Sequence, residues 1–472
     1  MKRITVVLLG LLVLVACAPK VDWAPPDGAS EGAYPGETWQ KATTPEDLGW
    51  SSEKLAAARA HSERIGSAAV MIVDDGIVVD AWGDTTRKFA CHSMRKSLLS
   101  ALMGIHVDEG HIDLSKTLEE LGIDDTEPAL TAVEKQATVA DLIQARSGIY
   151  HVALGEAASM KENRPELHSH APGTFWYYNN WDFNALGTIF EQETGTRIFE
   201  EFDRRIARNM QMEDFQVSDG CYETGPDSIH PVYSFRMSTR DLARFGLLFL
   251  RDGRWRDQQI IPADWVREST ATHSEIGPDI GYGYMWWTGV EGGLFPNVRV
   301  KEHSFFASGY RGQRVIVLPY RNLVIVHRVD TDSSSVDVGN REIGSLLWLI
   351  LDAAGETEIG DAPVVEAAEG TQVTADNLHE IWGESTISHF DGSEGQYITS
   401  YAPDGTMTFT ARKSDELVDT GKWWAEGDRV CRQWREMDGG EKACYYVVLD
   451  GTTLQQFGLD GILIGKVNFS RQ

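Results

Sequence analysis

A serine hydroxyl and a lysine amine three residues apart can act as nucleophile and base. Ser93-Met94-Arg95-Lys96 places them so at the head of an amphipathic segment, Ser97–Gly110. If that segment is helical, residues three apart share a face and the amine reaches the hydroxyl proton. Ser93 then lies at the positive end of the helix dipole, where a developing oxyanion is favoured. The chemistry requires an uncharged amine, so Lys96 must fall from about 10.4 through burial or a nearby positive charge. Spacing alone is weak evidence, because Ser51-Ser52-Glu53-Lys54 repeats it ahead of another helical pattern. There the serine is adequately explained as an N-cap.

Two other stretches could complete a site around Ser93. Tyr178-Asn179-Asn180 follows Pro172-Gly173-Thr174-Phe175 and precedes the helix-like run Trp181–Phe190. A tyrosine on such a loop can approach the serine from the side opposite the lysine and relay a proton to a leaving group. The Asn180 amide could hold the lysine or a substrate carbonyl. The residues alone leave Tyr177 and Tyr178 both open for the phenol. Ala307-Ser308-Gly309-Tyr310-Arg311-Gly312-Gln313 lies between two predicted strands. Its small residues would let a strand edge approach a substrate, with a backbone N–H as second oxyanion donor; read in isolation it is a Gly-rich turn.

The elements that must position these groups are legible in outline. Leu55–Arg64 reads as a helix, and Ala68–Val73 and Ile77–Trp82 as strands joined at Asp74-Asp75-Gly76. Residues 110–270 show irregular stretches and short helical patterns, with a strong amphipathic helix at Ser238–Arg251. Val298–Ser304, Arg314–Leu318 and Leu323–Arg328 read as strands, and Ile343–Leu351 as a buried closing helix. This order predicts an α+β fold: an antiparallel sheet flanked by helices, with a mostly helical lobe. Regular βαβ alternation is absent, which argues against a doubly wound sheet. Residues 354–374 read as a linker. Beyond them, over 375–472, turn signals at Asp404-Gly405, Asp438-Gly439, Asp450-Gly451 and Asp460-Gly461 predict a small all-β barrel or sandwich domain.

At 472 residues the chain is long enough for two or three domains. Its net charge of −28 argues against nucleic acid as a partner, since a phosphate-binding surface needs clustered Lys and Arg. Met1-Lys2-Arg3 is a basic start, followed by an apolar run from Ile4 to Ala16. That run is short of the roughly 20 residues of a permanent span. It ends in Leu14-Val15-Ala16-Cys17, which resembles a bacterial lipobox. The expectation is a lipoprotein signal peptide over 1–17, lipidation of Cys17, and a flexible tether over 18–45. That implies export and a lipid anchor to a bacterial membrane, the outer membrane favoured, with the catalytic domain periplasmic or extracellular. In an oxidising compartment, Cys431 and Cys444, placed about symmetrically around Met437-Asp438-Gly439-Gly440, are expected to pair across a hairpin. For Cys91 and Cys221 pairing stays open.

With their order along the chain, the three stretches resemble the serine β-lactamase-like, penicillin-recognising family. That family holds class C β-lactamases, DD-peptidases, esterases and 6-aminohexanoate-dimer hydrolases. Arg146-Ser147-Gly148, Gly110-His111-Ile112-Asp113-Leu114 and Ser238-Thr239-Arg240-Asp241-Leu242-Ala243 resemble its secondary signatures. The resemblance spans 46–353 as the catalytic domain, and its Pro-Gly-x-Phe spacing selects Tyr178. It implies Ser93 as acylated nucleophile, Lys96 as base, Tyr178 as acid/base, and Asn180 as positioning amide. Ser308, Gly309, Tyr310 and Gln313 become substrate-binding, with the Ser93 and Tyr310 backbone N–H groups forming an oxyanion hole. It implies neither cofactor nor metal, and a small-molecule or peptide-like substrate. One departure is informative: Ala307 stands where the family usually has Lys or His. That cation commonly helps bind a substrate carboxylate, so the resemblance shifts toward the 6-aminohexanoate-hydrolase and esterase branch. The rival expectation is a relative that binds a cell-wall or peptide ligand without turnover. Gly28-Ala29-Ser30-Glu31-Gly32 lacks the strand and helix of a nucleophile elbow, and His168-Ser169-His170 lacks a further ligand pair.

Overall fold

The computed structural model describes residues 32–360 except 127, 158, 159, 162 and 302, together with 371–374, 378, 386–392, 395–411, 416–426, 429–435, 442–450, 453–457 and 463–471. The expectations for Cys17 and for the turns at Asp438-Gly439 and Asp460-Gly461 lie outside the described residues.

The central sheet is assembled from β1 (Ala69–Asp74), β2 (Ile77–Gly83), β3 (Ser274–Glu275), β4 (Ile280–Tyr282), β5 (Trp287–Gly289), β6 (Phe305–Gly309), β7 (Gln313–Leu318) and β8 (Leu323–Arg328). Its spatial order is β2-β1-β8-β7-β6-β5-β4-β3 and every pairing is antiparallel. The first hairpin closes more tightly than expected. Asp74 pairs with Ile77, so the turn is only Asp75-Gly76, at φ 48° and 84°. Two left-handed residues match the twist of the strands they join.

Side chains alternate across the strands, and here both faces are covered. Val70, Ile72, Ile316, Leu318, Leu323 and Ile325 pack against α1 (Ser52–Arg64) and the closing helix α5 (Asn340–Ala353). Met71, Val73, Val315, Val317, Val324 and Val326 join the core that contains α2 (Arg95–Asp108), α3 (Asn180–Thr194) and α4 (Thr239–Leu250). This explains the continuous apolar runs in these strands; each such buried side chain contributes about 1.5–3 kcal/mol.

Three expectations need correction. Val298–Ser304 is not a strand. Val298 and Val300 are buried, but His303 takes φ 63° and the extended backbone begins only at Phe305. The region 110–270 is less helical than its patterns suggest. A hairpin of Gly220–Gly225 with Ser228–Met237 also pairs with Phe89–Ala90, just ahead of Ser93; Pro231 obscures its alternation in sequence. Finally, the part of the expected tether from Tyr34 onward is tied down. Arg256 and Arg244 donate to the Pro35 and Gly36 carbonyls, the Trp39 indole donates to Arg240 O, and Ala42 N donates to Val78 O.

The C-terminal strands run from Thr371–Val373 to Leu463–Arg471. Lys442–Asp450 pairs on one side with Arg429–Trp434 and on the other with Thr453–Phe457, so the antiparallel sheet closes into a barrel. Its interior holds Met407, Trp423, Trp434, Val447 and Leu454. Cys431 and Cys444 are direct cross-strand partners and form a disulfide, while Cys91 and Cys221 are free thiols. The bond closes a loop of sequence separation 13. Replacing both of its cysteines by serine is expected to cost the barrel about 3 kcal/mol, seen as a lower denaturant midpoint. An unchanged midpoint contradicts the loop-closure account.

Candidate active site

The nucleophile turn is built from three directions. Cys91 N donates to Phe235 O at 2.9 Å, anchoring the chain to the hairpin. His92 then takes φ 48°, a left-handed conformation costly for a residue with a Cβ, and its ring meets Thr331 Oγ1 at 2.8 Å. His92–Met94 forms a single 3₁₀ turn that runs directly into α2, so Ser93 heads a helix as expected. From the third side comes β6. A Cβ on Gly309 would lie 2.4 Å from Cys91 O, so only glycine lets the strand edge approach this closely. Beneath the turn, the Arg328 guanidinium donates to Gln313 Oε1 at 2.8 Å, Met237 O at 2.8 Å and Ala90 O at 3.1 Å.

Lys96 lies one helical turn below Ser93 and is 2% exposed. Its Nζ is 2.7 Å from Ser93 Oγ and 2.7 Å from Tyr178 Oη. Burial, and secondarily the Arg95 guanidinium, hold the amine well below the ordinary lysine range. Burial pushes the Tyr178 phenol up to about 12, against the lowering effects of its Ser93 hydrogen bond, Arg95 and Arg314. The arrangement is a lysine amine of lowered proton affinity bridging a hydroxyl and a phenol.

Tyr178 owes its position to its successor. Asn179 caps α3, its side chain accepting from Trp181 N at 2.9 Å and its amide donating to Ile149 O. The Tyr178 ring packs among Phe183, Trp287 and Tyr282. The neighbouring Tyr177 hydroxyl instead donates to Met160 O, which resolves the ambiguity in the motif.

A cleft of about 710 Å³ opens over Ser93, lined also by Tyr178, Asn180, Ser308, Gly309 and Tyr310. Asn180 does not hold Lys96. Its Nδ2 donates to Gly155 O at 2.6 Å, and its buried Oδ1 has no partner among the described residues. Gln313 departs from its expected substrate-binding role. It is fully buried, Nε2 donates to Val329 O and Oε1 accepts from Arg328, so the side chain braces the strands behind the site. The reason is strand alternation: Gln313 opens β7, and its side chain falls on the face away from the cleft.

Where Ala307 leaves the third motif without a cation, Arg311 and Arg314 both line the cleft. Arg314 is buried, donates to Gly309 O and Asn340 Oδ1, and is lowered by burial to about 10. Arg95 also lines the cleft; its guanidinium stacks 4.1 Å from the Tyr233 ring centre, with Nη2 on Asn184 Oδ1. Sequence reading passed over Arg95 although it lies inside the first motif. Gly155, Val338 and Asn340 carried no local signal and reach the cleft only through folding. Of the tryptophans near the motifs, Trp181 and Trp286 are core, and Trp287 faces the cleft.

Residues 53–346 match the model of the Beta-lactamase family, more than half of the chain. Among solved structures, the octameric penicillin-binding protein homologue from Pyrococcus abyssi is 15% identical at a TM-score of 0.50, covering 89% of this chain and 99% of that one. A Bacillus anthracis protein assigned as a 6-aminohexanoate-dimer hydrolase is 21% identical at a TM-score of 0.48, covering 63% of this chain and 81% of that one. EstCE1, a hydrolase with promiscuous acyltransferase activity, is 14% identical at 0.46, covering 66% and 99%. At these identities the first likeness speaks for the fold alone, and the other two carry no argument.

Proposed function

Since the chain belongs to the β-lactamase family, we propose that it is a serine hydrolase that cleaves ester or amide bonds through an acyl-enzyme on Ser93. The observation that carries this reading is the single amine of Lys96, at 2.7 Å from both Ser93 Oγ and Tyr178 Oη. Neutral Lys96 takes the serine proton as Oγ attacks the carbonyl. The backbone N–H groups of Ser93 and Tyr310 receive the oxyanion. The proton passes through Lys96 and Tyr178 to the leaving group, and the same pair then activates the water that releases the acyl group.

The absence of a cation at Ala307 favours the 6-aminohexanoate-hydrolase and esterase branch over β-lactam or peptidoglycan recognition. The Met1–Cys17 pattern supports export and lipid anchoring at Cys17, with the substrate met outside the cytoplasm. Screening the purified protein on short esters, a chromogenic cephalosporin, D-Ala peptides and aminohexanoate oligomers tests the branch. Esters or aminohexanoate oligomers are expected to turn over fastest; fastest turnover of the cephalosporin or D-Ala peptides overturns the branch assignment. On the best substrate, Tyr178→Phe is expected to slow turnover about 10²–10⁴-fold. Full activity in that variant would remove the phenol from the mechanism.

A further inference from the structure

Helix α2 bears the nucleophile at its first turn. Its last turn gathers three side chains that catalysis leaves unused. His106 lies in that turn and Glu109 caps it. Gly110, in the left-handed region at φ 73°, reverses the chain so that His111 N donates back to His106 O at 2.9 Å. The fold-back sets the Nδ1 atoms of His106 and His111 3.0 Å apart. Glu109 Oε2 lies 3.7 Å from the first and 3.4 Å from the second. We propose that His106, Glu109 and His111 form a binding site for a divalent transition metal of the zinc class.

Geometry supports the assignment. Zinc bonds of about 2.0–2.2 Å to imidazole and carboxylate, at tetrahedral angles, put neighbouring ligand atoms roughly 3.3 Å apart. The separations of 3.0, 3.4 and 3.7 Å bracket that spacing. The ring of His106 is oriented from behind. Its Nε2 is 2.9 Å from Glu201 Oε1, which commits that nitrogen and leaves Nδ1 for the ion. Glu201 is buried and held by Arg204. The carbonyl end of a 14-residue helix adds negative potential where the cation would sit. Glu109 and His111 are partly open to solvent, so water can fill a fourth position.

Two contacts oppose the ion, and the first is the hydrogen bond between the Nδ1 atoms of His106 and His111, which must open for both to ligate. In the second, Arg205 Nη1 donates to Glu109 Oε2 at 3.1 Å and Nη2 to Oε1, so the carboxylate must share its oxygen with the metal. Two imidazoles with one shared carboxylate oxygen select against Mg²⁺ and Ca²⁺, which require oxygen ligands, and for Zn²⁺, Co²⁺ or Ni²⁺.

The test uses the full chain purified without a polyhistidine tag and stripped with a chelator. Titration with Co²⁺ is expected to load one ion per chain at this site, with the intense visible absorption of four-coordination, and Zn²⁺ should displace it. His111→Ala, at a half-exposed position that leaves the core untouched, is expected to abolish the band. Glu201→Gln is expected to weaken affinity about 10–100-fold while preserving the spectrum. Fluorophosphonate labelling of Ser93 in His111→Ala serves as a check that the variant is folded. No Co²⁺ band in the stripped protein, or a band of unchanged strength in His111→Ala, overturns the site.

Discussion

Ser93→Ala is expected to abolish hydrolysis of every substrate the protein accepts, a loss on the order of 10⁴-fold or more. The magnitude follows from how the site is built. In the proposed mechanism Ser93 supplies the attacking atom and also the backbone N–H of one oxyanion donor. Alanine keeps the backbone donor and the cleft but removes the nucleophile, so the residue of rate acceleration is what binding and oxyanion stabilisation give alone. KM should change little, because the cleft walls formed by Tyr178, Asn180, Trp287 and Gly309 are untouched. Measured kcat on the best ester decides the matter. Retention of more than about 1% of activity would show that another group attacks the substrate.

Lys96→Met is expected to lower kcat by about 10²–10⁴-fold and to raise thermal stability at neutral pH. The two effects have one cause. Folding buries the amine between the rings of Tyr178 and Phe183, with Arg95 nearby, and burial first and Arg95 second lower its proton affinity. The unfolded chain holds a proton on this lysine up to about pH 10.4. The folded chain releases it at a lower pH, so from the lowered folded value to about 10.4 the unfolded state binds more protons and stability rises with pH. At pH 7 Lys96 therefore costs stability, and methionine relieves that cost. The stability gain of the variant should shrink as pH approaches 10. In the wild-type enzyme the same deprotonation gives activity that climbs with pH on the acid limb, while Tyr178, near 12, remains protonated. Arginine cannot rescue the position, since its guanidinium does not release a proton. A variant less stable than wild type at pH 7, with a flat pH–rate profile in the wild type, contradicts a neutral Lys96.

The parts of this site readable in sequence were those with a short-range signature. Ser93 and Lys96 are three apart on one helix, and Tyr178 precedes a helix whose cap, Asn179, is itself a sequence signal. The strands β1, β2, β7 and β8 announced themselves as apolar runs because both faces of the sheet are covered. The all-β character of the C-terminal domain was legible from closely spaced Asp-Gly signals, of which Asp404-Gly405 is a turn between described strands, and Cys431 and Cys444 pair as expected. What sequence obscured was direction and reach. Gln313 lies in the third motif, yet strand alternation turns it inward onto Arg328. Val298 and Val300 alternate like a strand, but His303 breaks the extended backbone. Tyr34 to Thr44 has the composition of a tether, yet partners distant in sequence help to hold it, among them the guanidinium groups of Arg244 and Arg256, more than two hundred residues on. The His106–Glu109–His111 cluster depends on the left-handed Gly110, and a search for a pair of histidine motifs passes it by.

The proposed mechanism requires Ser93 to be the activated hydroxyl of the cleft. Its most direct test is to label the purified protein with a fluorophosphonate and locate the adduct by tandem mass spectrometry across a pH series. A single adduct on Ser93, forming faster as pH rises and lost in Lys96→Met, is the predicted result. An adduct on another residue, or labelling that persists in Ser93→Ala, would contradict it.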